Sequence, residues 1–142
     1  MAMTRTQKAD LLRRVELFSG VPARALGLIA DKTVEVAFEP GQYIVRQGQV
    51  GTGFYLVVSG RVRVVRGGQI LARLGPGEFF GELSVLDQSP RVAHVLAEEP
   101  TTCLALASWD FTELLEKNPK IALGLLRTLA RRLRAATDQA HD

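Results

Sequence analysis

Gly81, Glu82 and Arg91 bring together a residue without a side chain, an acid and a base around a short apolar stretch. The stretch is too short for a full helix and too apolar for an open loop, which predicts a single helical turn. Gly81 lets a ligand approach the backbone, and the first N–H groups of the turn have no partner within it. Such N–H groups form an anion site, which an arginine on the next strand would complete.

Glu82 makes the predicted ligand more specific than an anion. A carboxylate beside a bound phosphate is repelled unless it has a hydrogen-bond donor of its own, and a sugar hydroxyl is such a donor. The three residues therefore suggest a ligand that carries phosphate and ribose side by side. The alternative is an ordinary surface ion pair between Glu82 and Arg91. The spacing alone gives the two interpretations about equal weight, because short motifs also match by chance.

The sequence around these residues resembles the phosphate-binding cassette of cyclic nucleotide-binding domains, which occur in catabolite activator protein, protein kinase A regulatory subunits and some ion channels. The family pattern reads F-G-E-(L/I)-(A/S)-L, then a short spacer, then P-R-(A/S/T)-A. The chain matches it at Phe80, Gly81, Glu82, Leu83, Ser84, Pro90, Arg91 and Ala93. The resemblance extends outside the cassette to Pro40-Gly41, Phe54-Tyr55-Leu56-Val57, Ser59-Gly60 and Leu74-Gly75-Pro76-Gly77, and it covers about Val15 to Arg134.

The resemblance implies a role for each residue of the cassette. The backbone N–H groups of Gly81, Leu83 and Ser84 would contact the cyclic phosphate, with the Ser84 hydroxyl as a further donor. The guanidinium of Arg91 would bind the phosphate oxygens through charge-assisted hydrogen bonds. Glu82 would accept a hydrogen bond from the ribose 2′-hydroxyl, which is free in a 3′,5′-cyclic nucleotide.

The resemblance also implies how the base is bound. Val64 and Leu71 occupy positions that pack against the purine, and Val92 and Ala93 would flank the base and the phosphate. Family members that favour cyclic GMP often have threonine directly after the arginine, whereas this chain has Val92. Without that hydroxyl the extra polar groups of guanine lose a partner, which favours cyclic AMP and leaves cyclic GMP as the alternative ligand.

The composition is that of one soluble globular domain spanning residues 1–142, with 46% hydrophobic and 23% charged residues. The net charge of +3 is too small to indicate nucleic-acid binding by itself. No apolar run approaches the roughly 20 residues that span a bilayer, and the N-terminus lacks the apolar core of a signal peptide. We therefore expect a cytoplasmic protein without a membrane segment, either complete or a domain of a longer chain.

No set of residues indicates catalysis. His94 and His141 do not supply the cluster of ligands that a metal enzyme needs, so no metal site is expected. Cys103 lies in an apolar strand and is expected to be a buried, inert thiol. Since no Ser/His/Asp arrangement is present either, the sequence predicts a protein that is not an enzyme.

Hydrophobic periodicity and turn residues divide the chain into helices, strands and helices. Helices are expected at 6–18 and 22–30, at 109–116 after a Ser108 cap, and at 119–136. Short β-branched runs predict strands at 33–38, 43–46, 54–58, 61–66, 69–74, 91–97 and 102–107, with a Gly67-Gly68 hairpin turn. The predicted class is α+β, an antiparallel, jelly-roll-like β-roll at 33–107 flanked by N-terminal helices (6–30) and C-terminal helices (108–136).

The function implied by the resemblance is a cyclic nucleotide sensor whose C-terminal helices move when the ligand binds. Two alternatives stay open: the effector half of a Crp/Fnr-type transcription regulator without its DNA-binding domain, or a scaffold that binds no nucleotide. The last helix has an apolar stripe, which indicates packing on the roll or pairing with a second copy. An output domain or protein outside this chain is the other expected partner. DNA binding by this chain alone is not expected, because a helix-turn-helix reader needs two further helices.

Overall fold

A computed structural model describes residues 2–49 and 53–141. The chain begins with α1 (Arg5–Arg14), a 3₁₀ turn (Glu16–Phe18) and α2 (Ala23–Lys32), and it ends with α4 (Ser108–Lys117) and α5 (Pro119–His141). One short helix, α3 (Glu82–Asp87), lies inside the β region. Among the described residues, no helix is long and apolar enough to cross a membrane.

The strands between α2 and α4 form two antiparallel sheets. They are β1 (Val34–Phe38), β2 (Tyr43–Val45), β3 (Gly53–Ser59), β4 (Val62–Arg66), β5 (Gln69–Leu74), β6 (Phe79–Phe80), β7 (His94–Ala97) and β8 (Thr101–Ala107). Within the described residues one sheet has the order β1-β8-β3-β6 and the other the order β2-β7-β4-β5. The α+β class and the β-roll flanked by helices are therefore confirmed.

The turn chemistry of the sequence sets the β4–β5 hairpin. Gly67 and Gly68 both have positive φ, 59° and 78°, and they join Arg66 to its partner Gln69. Backbone twist of this kind matches the twist of the two strands, and only glycine adopts it readily at both positions.

Two apolar cores result from the alternation of side chains along the strands. The first lies between the helices and the β1-β8-β3-β6 sheet and includes Phe54, Phe111 and Ile121. The second draws on both sheets and includes Val57, Val62 and Cys103. Cys103 is fully buried, and burial raises the pKa of its thiol to about 12, so the thiol stays protonated.

Several element boundaries differ from the predicted ones. The helix expected at 6–18 ends at Arg14, and a separate 3₁₀ turn follows. Ser108 is the first residue of α4 rather than its cap, since Ala107 takes the cap position and no side chain caps the helix. The strand expected at 91–97 begins only at His94, because the backbone of Arg91 bonds to a loop instead of a strand.

The apolar stripe predicted on the last helix divides into two parts. Of the predicted stripe, Leu125 is buried in the first core, whereas Leu126 and Leu133 are exposed. Ile121, which the predicted stripe did not include, is also buried in this core. Gly124 makes the close approach possible, because a Cβ at this position would lie 3.2 Å from the carbonyl oxygen of Leu17. The first half of α5 is thus fixed on the domain, and its outer face carries exposed leucines.

Candidate functional site

Gly81 adopts a conformation that the site requires of a glycine. Its φ is +94°, and it precedes the first turn of α3. A Cβ built here would lie 2.8 Å from Nη1 of Arg91 and 2.8 Å from the carbonyl oxygen of Gly53. Any side chain would therefore be strained and would also push against Arg91.

Arg91 is held by main-chain carbonyl groups. Its Nη1 donates to the oxygen of Gly81 at 2.8 Å, and its Nη2 donates to the oxygen of Gly53 at 2.9 Å. The residue is only 8% exposed. Burial lowers the pKa of Arg91 from its ordinary value, while Tyr55 and Glu82 act in the opposite direction. These two bonds use two of the five N–H donors and fix the plane of the guanidinium without neutralising it.

The main chain of Arg91 is fixed by the loop that follows β2. The N–H of Gly48 donates to the oxygen of Arg91 at 2.8 Å, and the N–H of Arg91 donates to the oxygen of Gln49 at 2.7 Å. Residues after β2 thus contact the main chain of Arg91, and Gly53 at the start of β3 contacts its side chain.

Glu82 presents a buried carboxylate that is only half satisfied. The residue is 4% exposed, and its Oε1 accepts a hydrogen bond from Nη1 of Arg132 at 2.8 Å. Within the described residues its Oε2 is buried without a hydrogen-bond partner. Burial raises the pKa of Glu82, while the charge of Arg132, the backbone N–H of Glu82 itself, the hydrogen bond from Arg132 and the charge of Arg91 lower it. A buried acceptor without a donor is costly, so this oxygen is suited to a ligand donor.

Arg132 is a site residue that sequence reasoning missed. It lies on α5, donates to Glu82 through Nη1 and to the oxygen of Phe79 through Nη2 at 2.7 Å, and its guanidinium lies 4.6 Å from the centre of the Phe79 ring. In the sequence, Arg132 is one of several arginines on a basic helix. No local pattern distinguishes it, because its partners lie 50 or more positions away.

The other predicted residues surround this centre or lie farther out. Leu83 and Ser84 fall in the first turn of α3, and their side chains lie outside the described structure. Ala93 is buried and Val92 is exposed. Val64 packs against the second core opposite Val95. Leu71 lies on β5 and is half exposed.

The site therefore combines a fixed guanidinium, a glycine turn and a buried carboxylate, one oxygen of which has no hydrogen-bond partner in the part of the chain that the structure describes. Residues 35–118 match the model of the family described as the cyclic nucleotide-binding domain. The chain belongs to this family.

Relatives of the domain include bacterial regulators and kinase subunits. The chain is 42% identical over 125 residues to the cyclic AMP receptor protein of Thermus thermophilus, covering 84% of this chain and 58% of that protein. The crystal structure of Thermus thermophilus catabolite activator protein has a TM-score of 0.80 at 40% identity and is matched over 89% of this chain and 62% of its own. The regulatory domain of Toxoplasma gondii protein kinase A, crystallised with cyclic AMP, has a TM-score of 0.80 at 28% identity, with coverages of 89% and 50%. The chain thus spans about three fifths of the bacterial regulator.

The titration of Glu82 gives a test of its buried environment. Because its pKa is raised from the ordinary value of 4.5, the folded protein keeps a proton there at pH values where the unfolded chain has released it. The free energy of unfolding of the wild type, minus that of Glu82→Gln, is expected to fall as the pH rises above 4.5. Urea unfolding of the ligand-free proteins between about pH 4 and 8 measures this difference.

Glu39→Gln serves as the control for removing one carboxylate, since Glu39 is an exposed residue in the β1–β2 connection and makes none of the hydrogen bonds described for the site. A difference between wild type and Glu82→Gln that rises with pH would contradict the burial argument.

Proposed function

We propose that the domain is a non-catalytic sensor that binds cyclic AMP, with Arg91 on the cyclic phosphate and Glu82 on the ribose. The observation that carries the proposal is the buried Oε2 of Glu82, which has no hydrogen-bond partner among the described residues, together with the guanidinium of Arg91, which donates to two carbonyl groups. A 3′,5′-cyclic nucleotide offers a phosphate anion and a free 2′-hydroxyl donor in one molecule. Two relatives support the same ligand: a cyclic AMP receptor protein, and a regulatory domain of protein kinase A that was crystallised with cyclic AMP.

Preference for cyclic AMP over cyclic GMP is part of the proposal. Val92, directly after Arg91, has no hydroxyl to hold guanine, and its side chain is exposed enough to meet a base. Val64 and Leu71 would complete the apolar surroundings of the purine from β4 and β5. Cyclic GMP is then the weaker ligand, and Val92→Thr should narrow the gap between the two nucleotides.

Calorimetric titration tests the ligand contacts directly. Cyclic AMP should bind the wild type. Arg91→Ala should lower the affinity by about a hundredfold or more, because a buried charged hydrogen-bond partner is lost. The 2′-deoxy analogue should bind the wild type about ten- to a hundredfold more weakly than cyclic AMP. In Glu82→Gln the affinities for cyclic AMP and its 2′-deoxy analogue should differ by much less, since the charged acceptor of the 2′-hydroxyl is gone.

Thr112→Val is the matched control, because it removes one side-chain hydrogen bond, to the oxygen of Ser108, on exposed α4. It should bind both ligands as the wild type does. Absence of heat and of a thermal shift with cyclic AMP and cyclic GMP would contradict the sensor and favour a scaffold that binds no nucleotide.

We also propose that the ligand acts on α5 through Arg132. This arginine bonds to Oε1 of Glu82, next to the oxygen assigned to the ribose, so a bound nucleotide changes the surroundings of a side chain that belongs to α5. The free energy available for the movement is the difference in ligand affinity between the two positions of the helix.

Amide hydrogen exchange along α5 measures this movement. Cyclic AMP should change the exchange of α5 in the wild type, and the change should shrink in Arg132→Ala while cyclic AMP still binds. Equal changes in the two proteins, or none in the wild type, would contradict the coupling.

The exposed leucines of α5 favour a second copy of the chain as the partner. Leu123, Leu126 and Leu133 are 47%, 63% and 68% exposed, and the seven-residue interval between the last two is the spacing of a coiled-coil seam. We expect a dimer in sedimentation experiments and a monomer for Leu126→Glu combined with Leu133→Glu. Ile70→Glu, at another exposed apolar position, on β5, should stay dimeric. A wild-type monomer, or a dimer that survives the double substitution, would contradict this interface.

A second candidate is the effector part of a cytoplasmic transcription regulator. It is favoured by the coverage of the relatives, since a CRP-like cyclic AMP-activated global transcriptional regulator of Mycobacterium tuberculosis matches 94% of this chain over 62% of its own length. A helix-turn-helix segment in the same reading frame would support it, and a reading frame without one would contradict it.

A further inference from the structure

The described residues of the β2–β3 connection, together with Gly53 at the start of β3, bond to Arg91. Gly48 and Gln49 bond to the main chain of Arg91, and Gly53 bonds to its guanidinium. The turn itself is closed by a hydrogen bond from the N–H of Gln49 to the oxygen of Arg46. A displacement of the residues just after β2 would therefore move the arginine that the proposed function places on the phosphate.

His94 bonds to this connection from β7. The N–H of Gln47, the residue before Gly48, donates to Nδ1 of His94 at 3.0 Å. To accept this bond the imidazole must be neutral at Nδ1, with its proton on Nε2. The side chain of His94 thus anchors the residue that directly precedes the hydrogen bonds to Arg91.

The imidazole is itself fixed in place. The ring of Tyr43 meets it at 88° with a centroid distance of 5.2 Å, and the guanidinium of Arg46 lies 4.3 Å from the centre of the Tyr43 ring. The backbone of His94 pairs with Val65 of β4. Because the backbone lies in the sheet and the ring contacts Tyr43, the side chain can keep its acceptor directed at one N–H group, which a freely rotating surface side chain would not do.

We propose that His94 is a positioning residue for nucleotide binding: through Nδ1 it holds the residues after β2 in the place where they fix Arg91. The role rests on the proposed function, because Arg91 is its target. His94 acts through the Gln47 N–H and the main chain of Arg91, and it need not touch the ligand.

Two substitutions separate the acceptor from the shape of the ring. His94→Phe keeps a ring beside Tyr43 but has no acceptor, so cyclic AMP should bind about three- to tenfold more weakly. His94→Asn offers its Oδ1 close to the position of Nδ1 and should restore the affinity to within about twofold of the wild type. A merely structural role of the ring would give the opposite order, with the phenylalanine variant closer to the wild type.

Hydrogen exchange of the ligand-free proteins gives a second readout that does not depend on binding. The amides of Gly48 and Arg91 should exchange faster in His94→Phe and return towards wild-type rates in His94→Asn. Amides of β8 should not change in either variant, and Thr112→Val should change neither the affinity nor these exchange rates.

The outcomes separate this role from the proposed function. An unchanged affinity in His94→Phe, or an asparagine variant as weak as the phenylalanine variant, would overturn the role of His94. Absence of binding by the wild type would overturn the proposed function instead. The exchange rates of Gly48 and Arg91 would then still decide whether His94 holds the connection.

Discussion

The site depends on how Arg91 is bound. Its guanidinium donates to the carbonyl oxygens of Gly81 and Gly53, and no carboxylate takes part in these two bonds. Carbonyl dipoles hold the side chain in one place but do not cancel its charge, which leaves the cation available to an anion. The same arrangement explains why Gly81 is a glycine, since a Cβ would come within 2.8 Å of both partners of this hydrogen bond network. The same hydrogen bonds thus set the position of the Arg91 guanidinium, keep its charge available and require the backbone conformation of Gly81.

The burial of Glu82 lowers the free energy of unfolding, and the fold alone does not explain why an acid lies there. Its buried carboxylate bonds to Arg132 through one oxygen, and the other oxygen has no partner among the residues that the structure describes, which lowers the stability of the folded chain. An apolar residue of similar size would fit such a place at less cost. Retention of the acid is understandable if a ligand donor completes its hydrogen bonding, because binding then recovers what folding gives up. A buried acceptor without a donor identifies a binding site more clearly than the short motif does.

The parts of the site that are local in sequence could be predicted, and those that depend on distant contacts could not. Gly81, Glu82 and Arg91 lie within one short segment, and Gly67-Gly68 specifies its hairpin by backbone geometry alone. The bond between Glu82 and Arg132 joins residues 50 positions apart, and a basic helix gives no sign of which arginine turns inward. Strand β6 is only two residues long, too short for any periodicity to reveal. Strand and helix ends depended on hydrogen bonds to loops, which a propensity pattern does not contain.

Helix α5 connects the buried carboxylate with the exposed leucines. Its first turns are packed on the core through Ile121 and Leu125, Arg132 reaches the carboxylate, and the next residue, Leu133, is exposed. Neighbouring helical residues point about 100° apart, so a shift or rotation of α5 that changes the bond of Arg132 must also move Leu133. If the exposed leucines bind a second copy, nucleotide binding at Glu82 and the contact between the two copies both depend on the position of α5. The coupling is then reciprocal: an interface that favours one position of α5 changes the nucleotide affinity by the same factor by which the nucleotide changes the interface.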